Sequence, residues 1–135
     1  MGELTLRATG PARASDAWER YADTRTWSSW SPQVRGVELD SGGDGDGDHR
    51  LRTGLTGRVV GPLGLRVPFV VDDVDEQTMT WRWHVTLGPL RVDLLHRVLD
   101  HVGGTVTELV IDAPAPVAIA YSAPAQLALH RLVRA

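Results

Sequence analysis

The clearest pattern in the chain runs from Met79 to Leu87. There Met79, Trp81, Trp83, Val85 and Leu87 alternate with Thr80, Arg82, His84 and Thr86. A period of two puts the first set on one face of a strand and the second set on the other. Leu90, Val92, Leu94, His96 and Val98 repeat the pattern after Gly88-Pro89, so His96 falls on the apolar face. Shorter alternations predict strands over residues 3–9, 34–39, 66–75 and 105–112, with Val67, Phe69 and Val71 on one side of the third. Leu51, Leu55 and Val59 predict a further strand, in which Gly54 and Gly57 would ease curvature or bulges. Gly61-Pro62-Leu63-Gly64 and Asp75-Glu76-Gln77 read as turns, and Gly103-Gly104 as a two-residue hairpin loop.

Helical spacing appears at three places. Ala14, Ala17, Trp18, Tyr21 and Ala22 form a stripe on a helix over residues 15–23, with Ser15 as its N-cap. Trp27 and Trp30 share one side of a single turn that Pro32 stops. Residues 117–135 predict a long helix on which Tyr121, Ala125, Leu129 and Leu132 stack along one face. Val117, Ala120, Pro124, Leu127 and Ala128 make the opposite face nearly as apolar, so both faces are expected to be buried, with the sheet as wrapper. Pro124 is expected to kink or shorten that helix and to mark an opening. A strand, one or two helices, about six strands joined by short turns and a final helix make an α+β fold on an antiparallel sheet.

Composition narrows the chemistry. At 135 residues the chain is expected to be one domain spanning residues 1–135. It has no cysteine, which excludes a thiol nucleophile and thiolate metal sites, and no lysine, which excludes Schiff-base chemistry. Asparagine is absent too, and the abundance of Ala, Gly, Arg and Asp points to a GC-rich, bacterial genome. A net charge of −3 offers no basic surface, so nucleic acid is not expected as a partner. Residues 1–10 have no basic stretch followed by an apolar one and are not expected to be a secretory signal, and the uncharged run from Ala113 to Leu129 is shorter than the roughly 20 apolar residues of a membrane span. A cytoplasmic monomer or homodimer without a membrane partner is expected.

Asp44, Asp46 and Asp48 have the spacing of a calcium loop, but His49 and Leu55 occupy positions that would need Gly and Glu. Residues 41–48 are therefore read as an acidic hairpin loop. The five histidines form neither an HxH nor an HxxxH pair, and there is no G-x-S-x-G elbow. No metal and no cofactor are expected.

The segments Ala17-Trp18, Asp23-Thr24-Arg25-Thr26-Trp27, Trp30-Ser31-Pro32-Gln33-Val34, Trp81-Arg82-Trp83 and Gly103-Gly104-Thr105 follow one another in a recognisable order. In that order the chain resembles the START-like, or SRPBCC, superfamily of polyketide cyclases and dehydrases, birch-pollen-allergen-like proteins and lipid-transfer domains. The resemblance implies a helix-grip fold, in which a seven-stranded antiparallel sheet holds the C-terminal helix over a hydrophobic cavity. It does not imply one reaction, since such folds serve catalysts, carriers and sensors.

On this reading the chain binds a small hydrophobic or aromatic molecule. Trp81, Trp83, Trp30, Phe69, Leu94 and Leu129 are the candidate wall, although buried tryptophans serve equally as plain core. The first alternative is a polyketide cyclase or aromatase that uses His96 and Tyr121 for proton transfer in aldol closure and dehydration. His96 as a satisfied core histidine competes with that role, and the Tyr121 hydroxyl needs a ligand, a water or His96 as partner. Arg82 and His84 face outward, where solvation is the default. The second alternative is a non-catalytic module that docks a protein or a membrane.

Overall fold

A computed structural model describes residues 2–40 and 49–134. The predicted acidic loop at 41–48 lies outside the described residues. The elements are β1 (Gly2–Gly10), α1 (Ala14–Ala22), α2 (Trp27–Trp30), β2 (Gly36–Leu39), β3 (Thr56–Val60), β4 (Arg66–Asp75), β5 (Thr80–Leu87), β6 (Leu90–His101), β7 (Gly104–Ala113) and α3 (Ala115–Leu132). The seven strands form one sheet in the order β1-β7-β6-β5-β4-β3-β2, and every neighbouring pair is antiparallel. This is the helix-grip architecture expected from the sequence.

The period-two reading of β5 and β6 holds through the register. Trp81 pairs with His96, Trp83 with Leu94 and Val85 with Val92, so one face of the sheet carries all of these side chains. Between β4 and β5 the register shifts at Asp72, an irregularity of the kind that bends a strand and increases its twist.

Several predicted boundaries move. Helix α1 begins at Ala14 with Arg13 as N-cap, so Ser15 lies inside the first turn and caps nothing. Residues 51–55 are not a strand: Leu51 N–H donates to the Ala22 carbonyl (2.7 Å), and Gly54 turns the chain at φ 89°. Leu51 and Leu55 are buried nonetheless, because a loop can fill a core position that a periodic pattern assigns to a strand. The hairpin after β6 turns at Val102-Gly103, one residue earlier than expected, since His101 pairs with Gly104. Gly103 supplies the positive φ of 84° that this turn needs.

Helix α3 departs further from expectation. It runs unbroken through Pro124. The proline removes the partner of the Ala120 carbonyl, but Ala120 is exposed, so solvent can take that oxygen. The two apolar faces are not both buried either. Val117, Ala120, Tyr121, Pro124, Ala125 and Ala128 look toward the interior of the grip together, while Ile119 and Leu127 face outward at 68% and 45% exposure. Alanines at 118, 125 and 128 keep the helix close to its neighbours. Its C-terminal end is fastened twice. Ala12 N–H donates to the Val133 carbonyl (2.9 Å), and the Arg20 guanidinium donates to the carbonyls of Leu132 (2.5 Å) and Arg134 (2.8 Å).

Candidate ligand-binding site

The concave face of the sheet, α2 and α3 enclose a cavity of about 570 Å³, within the usual range of roughly 300–1,000 Å³ for small-molecule sites. Four of the five tryptophans, Trp27, Trp30, Trp81 and Trp83, line it, and the rest of the wall is mainly Val, Leu, Ile, Pro and Ala. Among the described residues no Asp, Glu or Arg side chain lines it. Its exposed lining residues are Pro62 and Leu65 from the β3–β4 connection, Leu87 at the end of β5, and Pro116 and Ala120 in the first turns of α3. The opening therefore lies at the N-terminal end of α3, not at a break in its middle. Leu63, fully exposed, stands beside it.

The aromatic wall is braced from behind. Trp27 donates its indole N–H to the Tyr21 carbonyl (2.8 Å), and Trp30 to the Arg20 carbonyl (3.0 Å). Both rings are thereby anchored to the end of α1 and also form cavity wall. Trp27 sits 5.3 Å from Trp83 and 5.7 Å from Trp81, centroid to centroid. Of the sequence candidates, Trp30, Trp81, Trp83, Leu94, Leu129, His96 and Tyr121 all line the cavity. Phe69 does not; it packs against Trp27 and Trp83 and supports the wall as core.

His96 is buried, with its ring stacked on Trp81 at 4.5 Å and an interplanar angle of 10°. Its hydrogen bonds can be assigned from their ends. Trp83 Nε1–H can only donate, so His96 Nε2 accepts at 3.0 Å and is bare. The proton of the neutral ring then sits on Nδ1 and is donated to the Tyr21 hydroxyl oxygen (3.0 Å). Tyr21 in turn donates to Thr107 Oγ1 (3.2 Å), and Thr107 donates to the Arg97 carbonyl (3.1 Å), where the chain of donors ends. Burial pushes the imidazole pKa down to about 3 and pushes the Tyr21 phenol up. Both nitrogens of His96 are thus engaged by the protein, and a proton transfer to or from a ligand would require one of these bonds to be exchanged. The histidine and Tyr121 are not partners.

Tyr121 pairs instead with Gln33, whose Nε2 donates to the phenol oxygen at 3.3 Å. Burial raises the Tyr121 pKa, and the bond from Gln33 lowers it by less. The amide oxygen of Gln33 is buried and has no partner among the described residues, and neither has the indole N–H of Trp81. Both residues line the cavity.

Tyr21, Thr107 and Gln33 were not singled out from the sequence. Tyr21 could be placed on the inner stripe of α1, but no spacing connects it with His96, 75 positions away. Gln33 lies within a motif that carried the resemblance, and no feature of the sequence marks its polar side chain. On the outer face, His84 is half-buried and not simply solvated: its Nδ1 lies 2.9 Å from Asp72. Asp72, His84 and Asp93 bring ligand-type atoms within 4.8 Å of one another, across three strands that no single-segment motif could link. Arg91 also holds Asp93, at 2.9 Å.

A curved antiparallel sheet, a gripped C-terminal helix and an apolar cavity between them define the helix-grip class of proteins. The sequence agrees: residues 1–134 match the family described as "Polyketide cyclase / dehydrase and lipid transport". The chain belongs to that family, within the START-like superfamily. Solved structures share its fold at low sequence identity. Ara h 8.0201 superposes with a TM-score of 0.72 at 15% identity, over 97% of this chain and 94% of that one. XoxI from Bacillus cereus gives a TM-score of 0.78 at 11% identity, over 98% and 93%. BexL, a di-domain ARO/CYC protein of the BE-7585A biosynthetic pathway, gives 0.77 at 13% identity, over 98% of this chain and 45% of that one. At these identities the likeness is one of fold. No curated protein matches the sequence. Among the described residues no helix is long and apolar enough to cross a membrane.

Proposed function

We propose that the protein binds a small hydrophobic or aromatic molecule in the cavity between the sheet and α3. The observation that carries this reading is the cavity itself: about 570 Å³ of apolar, tryptophan-walled space with an opening at the start of α3. A domain of this size would ordinarily close such a volume with side chains, because unfilled space in a core is destabilising. A flat ligand would stack against the indoles and recover that loss. A cytoplasmic, bacterial setting accompanies the reading on composition alone.

Titration with the neutral fluorophore N-phenyl-1-naphthylamine tests it. Saturable 1:1 binding, with quenching of tryptophan emission by energy transfer, is the expected result. Absence of saturable binding at micromolar probe would refute the proposal.

The cyclase reading has support in the family description and in the fold shared with BexL. It would use the cavity to fold a reactive chain, with orientation supplying much of the rate. The side chain in the wall best placed to move a proton in that case is Tyr121, because its own hydroxyl proton has no acceptor among the described residues, whereas both His96 nitrogens are bonded within the core.

A further inference from the structure

The unmet hydrogen-bonding demand of this protein is concentrated on its cavity wall. Among the described residues, the two buried side-chain polar atoms without a partner are Gln33 Oε1 and Trp81 Nε1, and both belong to cavity-lining residues. Native proteins seldom leave such atoms unpaired, since each costs roughly 1–3 kcal/mol. Gln33 is held at one end only, by the bond from its Nε2 to Tyr121. The Tyr121 oxygen is the acceptor in that bond, so its O–H still seeks an acceptor beside the unsatisfied amide oxygen. One donor and one acceptor stand next to each other on an otherwise apolar surface. The charge balance is as telling. Among the described residues no Asp, Glu or Arg side chain lines the cavity, its one titratable nitrogen base, His96, is buried with both ring nitrogens bonded to the protein, and the chain has no lysine to swing in. A carboxylate or phosphate taken inside would be desolvated without a cation to meet it, at a cost that hydrocarbon contacts do not offset.

We propose that Gln33 and Tyr121 form a polar clamp that selects an uncharged ligand carrying a hydroxyl, phenolic or enolic, on a hydrophobic or aromatic body. The inference rests on the cavity being a ligand site. A hydroxyl donates to Gln33 Oε1 and accepts from Tyr121 with one group. It also suits the pair if the amide turns over and presents its N–H groups instead. An ether or ketone meets only one of these demands, and an anion meets the donor alone.

The test compares 2-naphthol with 2-methylnaphthalene, which has nearly the same shape and no polar atom, and with 2-naphthoate, which is anionic at neutral pH. Calorimetric or fluorescence titration is run on the wild type and on two independent variants, Gln33→Met and Tyr121→Phe, each checked for native circular dichroism. The second variant keeps the ring in place if the first fails to fold. Each variant is expected to weaken 2-naphthol on the order of fivefold, the factor for one neutral hydrogen bond of about 1 kcal/mol. Binding of 2-methylnaphthalene should stay within about twofold, and 2-naphthoate should bind at least about 100-fold more weakly than 2-naphthol to the wild type. Equal effects of the variants on both neutral ligands, or naphthoate binding as tightly as naphthol, would overturn the clamp and leave the cavity reading intact. If none of the three binds, the cavity reading itself fails, and the clamp with it.

Discussion

At the scale of single residues, the state of His96 is decided by its two partners. An indole N–H aimed at Nε2 leaves no room for a second proton, and burial penalises the imidazolium, so the folded ring titrates near pH 3. Unfolded, it titrates near the ordinary value of about 6.5. Between those two values the unfolded chain binds the extra proton. Stability therefore rises with pH across this window and is lost as pH falls through it. The expected loss from pH 6.5 to pH 5 is about 2 kcal/mol, at roughly 1.4 kcal/mol per unit. Urea denaturation of the wild type and of His96→Gln at the two pH values checks this, and the variant should lack most of the difference. The lowered pKa values of Asp23, Glu38 and Glu76, caused by pairing with arginine, add to this loss only in the acid part of the window, as pH falls below the ordinary carboxylate range, and so leave the interval from pH 6.5 to pH 5 to His96. Strict alternation sufficed to put His96 on the inner face. Its bond to Tyr21, and the bond from Tyr21 on to Thr107, were not legible, because these residues come from α1 and β7 and no local pattern spans that separation.

At the scale of elements, α3 is held by its C-terminal end and left comparatively free at the other. Arg20 supplies donors to carbonyls that the helix cannot satisfy internally, and its positive charge suits the negative end of the helix. Replacing it with Met should cost about 1–2 kcal/mol in chemical denaturation. Gly10 lets the β1 backbone pass directly beside Val133, where a methyl group would meet the carbonyl oxygen and the side chain. Gly10→Ala should destabilise by about 1–3 kcal/mol, read as a lower midpoint at unchanged slope. Residues 115–124 contain one buried residue, Ala118, and several that line the opening. Long periodic segments such as β5, β6 and α3 were readable from the sequence because packing repeats their pattern. Residues 51–55 were not, since buried leucines separated by four positions suit a loop that dips into the core as well as a strand. The inward side of α3 was only partly readable, because a helix rich in alanine and valine all round does not say which face meets solvent.

At the scale of the whole molecule, the sheet and α3 differ in what they bring to the cavity. The sheet provides aromatic wall through Trp81 and Trp83, against which α2 sets Trp27, held with Trp30 by their bonds to the end of α1. The helix provides the opening and, through Tyr121, one half of the polar clamp. Ala120 lies at that opening, exposed and lining the cavity, so a bulky side chain there can obstruct entry without disturbing the core. Ala120→Trp should leave the denaturation midpoint unchanged and weaken N-phenyl-1-naphthylamine binding by about tenfold or more, equivalent to about 1.4 kcal/mol.

The central claim, a ligand site walled by four indoles, is tested most directly by the indole N–H signals in a ¹⁵N–¹H correlation spectrum. The five tryptophans give five signals. Trp18 serves as an internal control, because its N–H is directed at Glu76 (3.3 Å) and its ring is not part of the cavity wall. On titration with 2-naphthol, the signals of Trp27, Trp30, Trp81 and Trp83 are predicted to move to saturation together while that of Trp18 stays in place. Unchanged signals from those four tryptophans, or a shift confined to Trp18, would contradict a ligand site between the sheet and α3.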